Sequence, residues 1–222
     1  MQTTTIIPVK RLDAALRRLE GALAPADRER LAEALFLDVL TKLPRSRNIT
    51  DLLIVTADPS VSRHARWLGH EVLEQPEDIG HSEAAIAGVE AAKEAGGDRV
   101  AMLAADCPLL DPDELDRHLG RTPQAALIVP DRHGTGTNAL VLSPPDAIEP
   151  AFGLESCSRH IGRARAAGIG FTLERIESLE MDLDTPEDMN ELRDRLLLDP
   201  DPAPRTAKVL WELGAEHEPA VA

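Results

Sequence analysis

The chain of 222 residues is 43% hydrophobic and 28% charged, a globular mixture that argues against a disordered protein. Its net charge of −15 argues against a nucleic-acid partner, because phosphate backbones reward basic surfaces. No apolar run approaches the roughly 20 residues that span a bilayer, so no membrane contact is expected.

The opening Met1-Gln2-Thr3-Thr4-Thr5 has no basic, apolar leader, and a cytoplasmic setting is expected. Thr4 to Val9 is the first predicted strand. Leu31, Leu35, Val39 and Leu43 then recur every four residues, widened by Phe36 and Leu40, and predict an amphipathic helix from Asp27 to Leu43. Leu52 to Thr56 reads as a buried strand, and Asp58-Pro59 as a helix start with an acidic cap and proline at the first helical position. A short strand at Glu71 to Leu73 precedes an alanine-rich helix, Ser82 to Ala95, closed by Gly96-Gly97. Arg99 to Ala104 is the next strand, followed by a helix capped at Asp111-Pro112. Strands at Ala125 to Val129 and Asn138 to Leu142 flank a glycine-rich loop, and a helix from Glu155 to Ala167 leads to a strand from Gly170 to Ile176. Thr185-Pro186-Glu187-Asp188 opens a further helix with a capping box. Strands alternating with helices imply an α/β fold, a mostly parallel central sheet with helices on both faces, whose functional loops gather at the carboxyl ends of the strands. One domain is expected over residues 1–198. Pro200, Pro202 and Pro204 then mark a linker to a helical tail, 199–222.

Five segments carry candidate chemistry. An apolar strand runs straight into Asp106, whose carboxylate would project from the sheet's carboxyl edge; a turn or cap role is the alternative. Asp182 and Asp184 lie two apart and would share one side of an extended segment, where repulsion calls for a bridging cation. Mg²⁺ takes one or two carboxylates plus substrate phosphates, although Asp184 also reads as a plain helix-start residue. The loop Pro130-Asp131-Arg132-His133-Gly134-Thr135-Gly136-Thr137-Asn138 offers amides, hydroxyls and a cation for an anion-binding nest, or forms an ordinary hairpin. Phe152-Gly153-Leu154-Glu155-Ser156 opens a helix whose first amides can hold an anion. Within that helix Cys157 reads as a packing residue and His160 as a surface one. Finally Lys10 and Arg11 leave the first strand at the edge that would carry the site, as phosphate ligands or as solvated cations.

In this order the pieces resemble the family of 2-phospho-L-lactate and phosphoenolpyruvate guanylyltransferases of coenzyme F-420 biosynthesis. The carrying residues are Ile7-Pro8-Val9-Lys10, Asp106-Cys107-Pro108-Leu109-Leu110, Asp131 to Asn138, Phe152-Gly153-Leu154-Glu155-Ser156, Arg159-His160 and Asp182-Leu183-Asp184-Thr185-Pro186, across residues 4 to 198. The resemblance implies a Rossmann-like nucleotidyltransferase fold. It also implies that Asp106, Asp182 and Asp184 hold Mg²⁺ and serve catalysis, that Thr137, Gly153 and Ser156 contact the small acid, and that Lys10 and Arg18 meet the GTP phosphates. Two positions depart from the family pattern: Leu16 stands where the family has a lysine, and Ser82-Glu83 where it has Leu-Asn.

The implied reaction moves GMP from GTP to a small phosphorylated acid and releases pyrophosphate. The abundance of arginine, alanine and proline points to a GC-rich bacterial source, for which the family resemblance implies phosphoenolpyruvate as acceptor. A labile product further implies a transient contact with the enzyme that consumes it. Two rivals stay open: another small-molecule nucleotidyltransferase, of the molybdopterin or sugar-phosphate type, and a non-catalytic nucleotide-binding or scaffold protein derived from this fold. The former usually carries a Leu-x-Gly-Gly-x-Ser motif after its first strand, absent here.

Overall fold

The computed structural model describes residues 2–121 and 125–217. Strands β1 (Thr3–Val9) and β2 (Asp51–Thr56) are separated by two 3-10 turns, helix α1 (Pro25–Lys42) and a third 3-10 turn. Helix α2 (Pro59–Trp67), strand β3 (Glu71–Glu74), helix α3 (His81–Glu94), strand β4 (Arg99–Leu103) and helix α4 (Pro112–Leu119) follow. The second half holds β5 (Ala126–Pro130), β6 (Thr137–Leu142), α5 (Ser156–Ala166), β7 (Phe171–Leu173), α6 (Pro186–Leu198) and α7 (Pro204–His217).

The strands form one sheet in the order β3-β2-β1-β4-β6-β5-β7. Every residue of β1 and β4 is buried, as expected of central strands covered by helices on both faces. Of the described strands only β6 is reversed, antiparallel to both β4 and β5, so the sheet is mixed. That reversal matters for function. It brings the start of β6, with Thr137 and Asn138, to the edge where β1 and β4 end. The pairing of β1 with β4 stops at Ile6 and Met102, while β1 continues beside β2 to Val9. The two strands therefore part at the topological switch point, where open α/β sheets place ligands.

The expected caps are present. Asp58 accepts from the amides of Ser60 and Val61 at the start of α2 and also from Leu12 N–H at 2.9 Å, fixing the loop after β1. Thr185 and Asp188 form the reciprocal capping box of α6. The strand expected from Gly170 to Ile176 is shorter, since β7 pairs with β5 over three residues before the chain turns into a 3-10 turn at Glu177–Leu179.

Helix α7 packs on α1 and α6. Leu210 and Leu213 join Leu31, Leu35, Leu192 and Leu196 in one apolar cluster beside the sheet. The last residues of the expected tail, 218–222, lie outside the described ones. No helix among the described residues is long and apolar enough to cross a membrane.

Candidate active site

The sequence candidates Lys10, Arg18, Asp106, Thr137, Gly153, Ser156, Asp182 and Asp184 all line one cavity of about 460 Å³ at the open end of the β1–β4 gap. One wall is the loop between β1 and α1, with Lys10, Leu16, Arg17 and Arg18. The opposite wall combines the β5–β6 loop with the start of α5. The acidic floor comes from two distant segments laced together by the backbone: Leu183 N–H donates to Asp106 O at 3.2 Å.

Asn138, given no role by sequence reasoning, is the hub of that lacing. Its Nδ2 donates to Leu179 O at 2.8 Å and to Asp182 Oδ1 at 3.2 Å. Its own carbonyl accepts from Ala104 N–H at 2.9 Å, just before Asp106. One buried residue thus ties the Asp106 and the Asp182 segments together, through its backbone carbonyl and its side-chain amide.

Burial, then Asp182 and Asp184, push the Asp106 carboxyl well above the ordinary carboxylate range. Burial also raises Asp182, against the opposing hydrogen bond from Asn138. The pair is short of positive charge, and the donor set suits Mg²⁺, a hard cation content with two carboxylates and substrate oxygens. The expected three-aspartate cage is not assembled. Among the described residues no three His, Cys, Asp or Glu side chains are grouped to hold a metal. Asp184 is half-exposed and bonded to Arg18 at 2.8 Å, which gives each of the two a counter-ion.

The glycine-threonine loop departs from the expected nest. Asp131 accepts from Thr135 N–H at 2.9 Å and Gly136 N–H at 2.8 Å, so these amides hold the loop rather than a ligand. A side chain at Gly136 would meet Asp131 Oδ2 at 2.6 Å, which explains the glycine. Arg132 points away from the cavity, paired with Asp188 and with Glu191 at α6. At α5, Ser156 N–H donates to Gly153 O and Cys157 N–H to Thr135 O, so those helix-start amides are engaged too. Glu155 and Leu16, on facing walls, both adopt left-handed backbone (φ 53° and 51°), local strain on the order of 1 kcal/mol each. Exposed Glu83 curls back over Gly80 in the first turn of α3.

His160, expected at the surface, is completely buried. It sits one helical turn beyond Ser156, with both ring nitrogens engaged by Thr137 and Ala151. The Phe152 ring lies edge-on between it and half-buried His81. Burial, then Arg163 and Arg159, pull the His160 imidazole down to about 4 from 6.5. The folded ring therefore binds its proton more weakly than the unfolded chain does, and stability is lost as pH falls from about 6.5 toward 4. Urea unfolding at pH 7 and pH 5 should show about 2 kcal/mol less stability at pH 5 from this group. The slope should shrink in His160→Asn; an identical slope in both proteins would contradict the assignment.

The family model for CofC-like guanylyl transferases matches residues 3–195. A phosphoenolpyruvate guanylyltransferase of Conexibacter woesei is 44% identical over 197 residues, covering 87% of this chain and 88% of that protein. A 2-phospho-L-lactate guanylyltransferase of Methanothermobacter thermautotrophicus is 32% identical over 193 residues, covering 86% and 84%. Among solved structures, a nucleotidyl transferase of the same archaeon superposes with a TM-score of 0.67 at 17% identity, over 89% of this chain and 98% of that one, a likeness of fold alone. With a family match across nearly the whole described chain and the sheet edge of a nucleotidyltransferase, this protein belongs to the CofC-like guanylyl transferases.

Proposed function

We propose that this guanylyltransferase moves GMP from GTP onto phosphoenolpyruvate and releases pyrophosphate, as a cytoplasmic step toward coenzyme F-420. The observation that carries the reading is the division of one cavity into a paired-carboxylate floor, a cationic wall at Lys10, Arg17 and Arg18, and a hydroxyl wall at Thr137 and Ser156. A triphosphate and a phosphorylated acid are both anions, and they need separate places in a chain of net charge −15.

The acceptor's phosphate is already ionised, so its oxygen needs no strong general base. That oxygen forms a bond to the α-phosphorus of GTP while the bond from that phosphorus to the bridging oxygen breaks, and pyrophosphate carries away the electron pair. Lys10 and Arg18 would hold the leaving phosphates, and Thr137, Ser156 and the Gly153 turn would orient the acid. Mg²⁺ held by Asp106 and Asp182 would supply charge neutralisation of the phosphates. The protein's own contribution is alignment, which can remove several kcal/mol of barrier.

Higher identity to the relative named for phosphoenolpyruvate than to the one named for 2-phospho-L-lactate supports the choice of acid. The test is pyrophosphate release with GTP, Mg²⁺ and, in turn, phosphoenolpyruvate, 2-phospho-L-lactate and 3-phosphoglycerate. Phosphoenolpyruvate should give at least about tenfold higher kcat/KM than the others. Faster turnover with another acid would change the substrate, and none with any of the three would remove the reading.

A further inference from the structure

The buried contacts of His160 fix where its proton sits. A backbone amide can only donate, and Ala151 N–H ends on His160 Nε2 at 2.8 Å. Nε2 therefore offers its lone pair, and in the neutral ring the proton is on Nδ1. Nδ1 lies 3.0 Å from Thr137 Oγ1, so the imidazole donates and the threonine oxygen accepts. The hydroxyl's own hydrogen is then free of His160, on a side chain that lines the cavity. The opposite tautomer would reverse the polarity: Thr137 would donate inward to the ring and turn a lone pair toward the ligand.

We propose that His160 is a positioning residue: its Nδ1–H tautomer, locked by the Ala151 amide, makes the Thr137 hydroxyl a hydrogen-bond donor to an anionic oxygen of the acceptor acid. The assignment of that oxygen to the acid rests on the function proposed above. The arrangement gives the acid's pocket a donor without adding a cation. A cation would also attract the GTP phosphates and blur the two subsites. Low proton affinity of the buried ring, beside Arg163 and Arg159, keeps it neutral at neutral pH. Complete burial of His160 leaves no water to compete for Nδ1.

Two measurements test this. Nitrogen-15 NMR of the full-length, substrate-free protein at pH 7 should show a protonated Nδ1 and an unprotonated Nε2 for His160, assigned by the His160→Gln variant. A protonated Nε2 would overturn the lock whatever the enzyme does. Steady-state kinetics follow on the acid turned over fastest. His160→Gln, whose amide reaches the place of Nε2 but leaves that of Nδ1 empty, should raise KM for the acid about tenfold with KM for GTP unchanged. His160→Asn, whose amide nitrogen can replace Nδ1, should restore it to within about threefold. In a Thr137→Val background His160→Gln should add less than about twofold, because the hydroxyl it orients is gone. Equal changes in both KM values, or full additivity with Thr137→Val, would mean that the ring only fills space. Absence of turnover with every acid would remove the substrate reading, while the NMR result would still decide the tautomer.

Discussion

Asp106→Asn is expected to lower turnover on the order of a thousandfold and, at the same time, to raise the melting temperature by a few degrees. The two effects have one cause. Burial and the charges of Asp182 and Asp184 all disfavour an ionised Asp106, so the folded protein protonates this carboxyl or holds its charge, at a cost either way. Asparagine keeps the shape and removes that cost, worth about 1–2 kcal/mol once the other carboxylates relax. It also removes half of the oxygen pair that would hold Mg²⁺ against the phosphates. Asp182→Asn should be as inactive but gain less stability, because Asp182 loses a charge-assisted hydrogen bond from Asn138 Nδ2 in exchange. Calorimetry and pyrophosphate release on the same samples check both statements. A destabilised Asp106→Asn, or one with near-normal turnover, would show that Asp106 is an ordinary turn residue.

What could be read from the sequence followed from local rules. The α1 stripe was legible because helical period and burial coincide at Leu31, Leu35 and Val39. The caps at Asp58, Asp111 and Thr185 were legible because proline follows each of them. Asp106 was legible because the apolar run Val100 to Leu103 leads up to it. What escaped depends on partners far along the chain. A buried strand has the same composition in either direction, so nothing in Thr137–Leu142 announces that β6 is reversed. The ring nitrogens of His160 are matched by residues 9 and 23 positions away, across two loops, and no periodicity reports that. The pairing of Asp184 with Arg18 spans 166 positions. The Asp131 clamp is different. Its acceptor sits four and five residues before the amides it binds, so the loop's engaged amides could have been anticipated from the short spacing.

A second buried carboxylate should behave in the opposite way. Asp38, 1% exposed on α1, accepts from Thr206 N–H and Thr206 Oγ1–H at 2.8 Å each, and from Arg205 through its amide at 3.3 Å and its guanidinium at 3.2 Å. These donors belong to the first turn of α7, so one helix caps another through a fully desolvated carboxylate. Asp38→Ala leaves the buried Thr206 donors without an acceptor and removes the counter-ion of Arg205, which should cost about 3–5 kcal/mol. Amide exchange should quicken across α7, whose Leu210 and Leu213 otherwise pack on Leu31 and Leu35 of α1. Turnover by the molecules that remain folded should fall less than tenfold, since Asp38 is absent from the cavity lining. Urea unfolding with activity normalised to folded protein separates the cases. If Asp38→Ala were as stable as the parent, α7 would be held by its apolar face alone. If it lost activity as deeply as Asp106→Asn while folded, α1 would have to move when α7 loosens, carrying Leu35 and Phe36 away from the cavity they line.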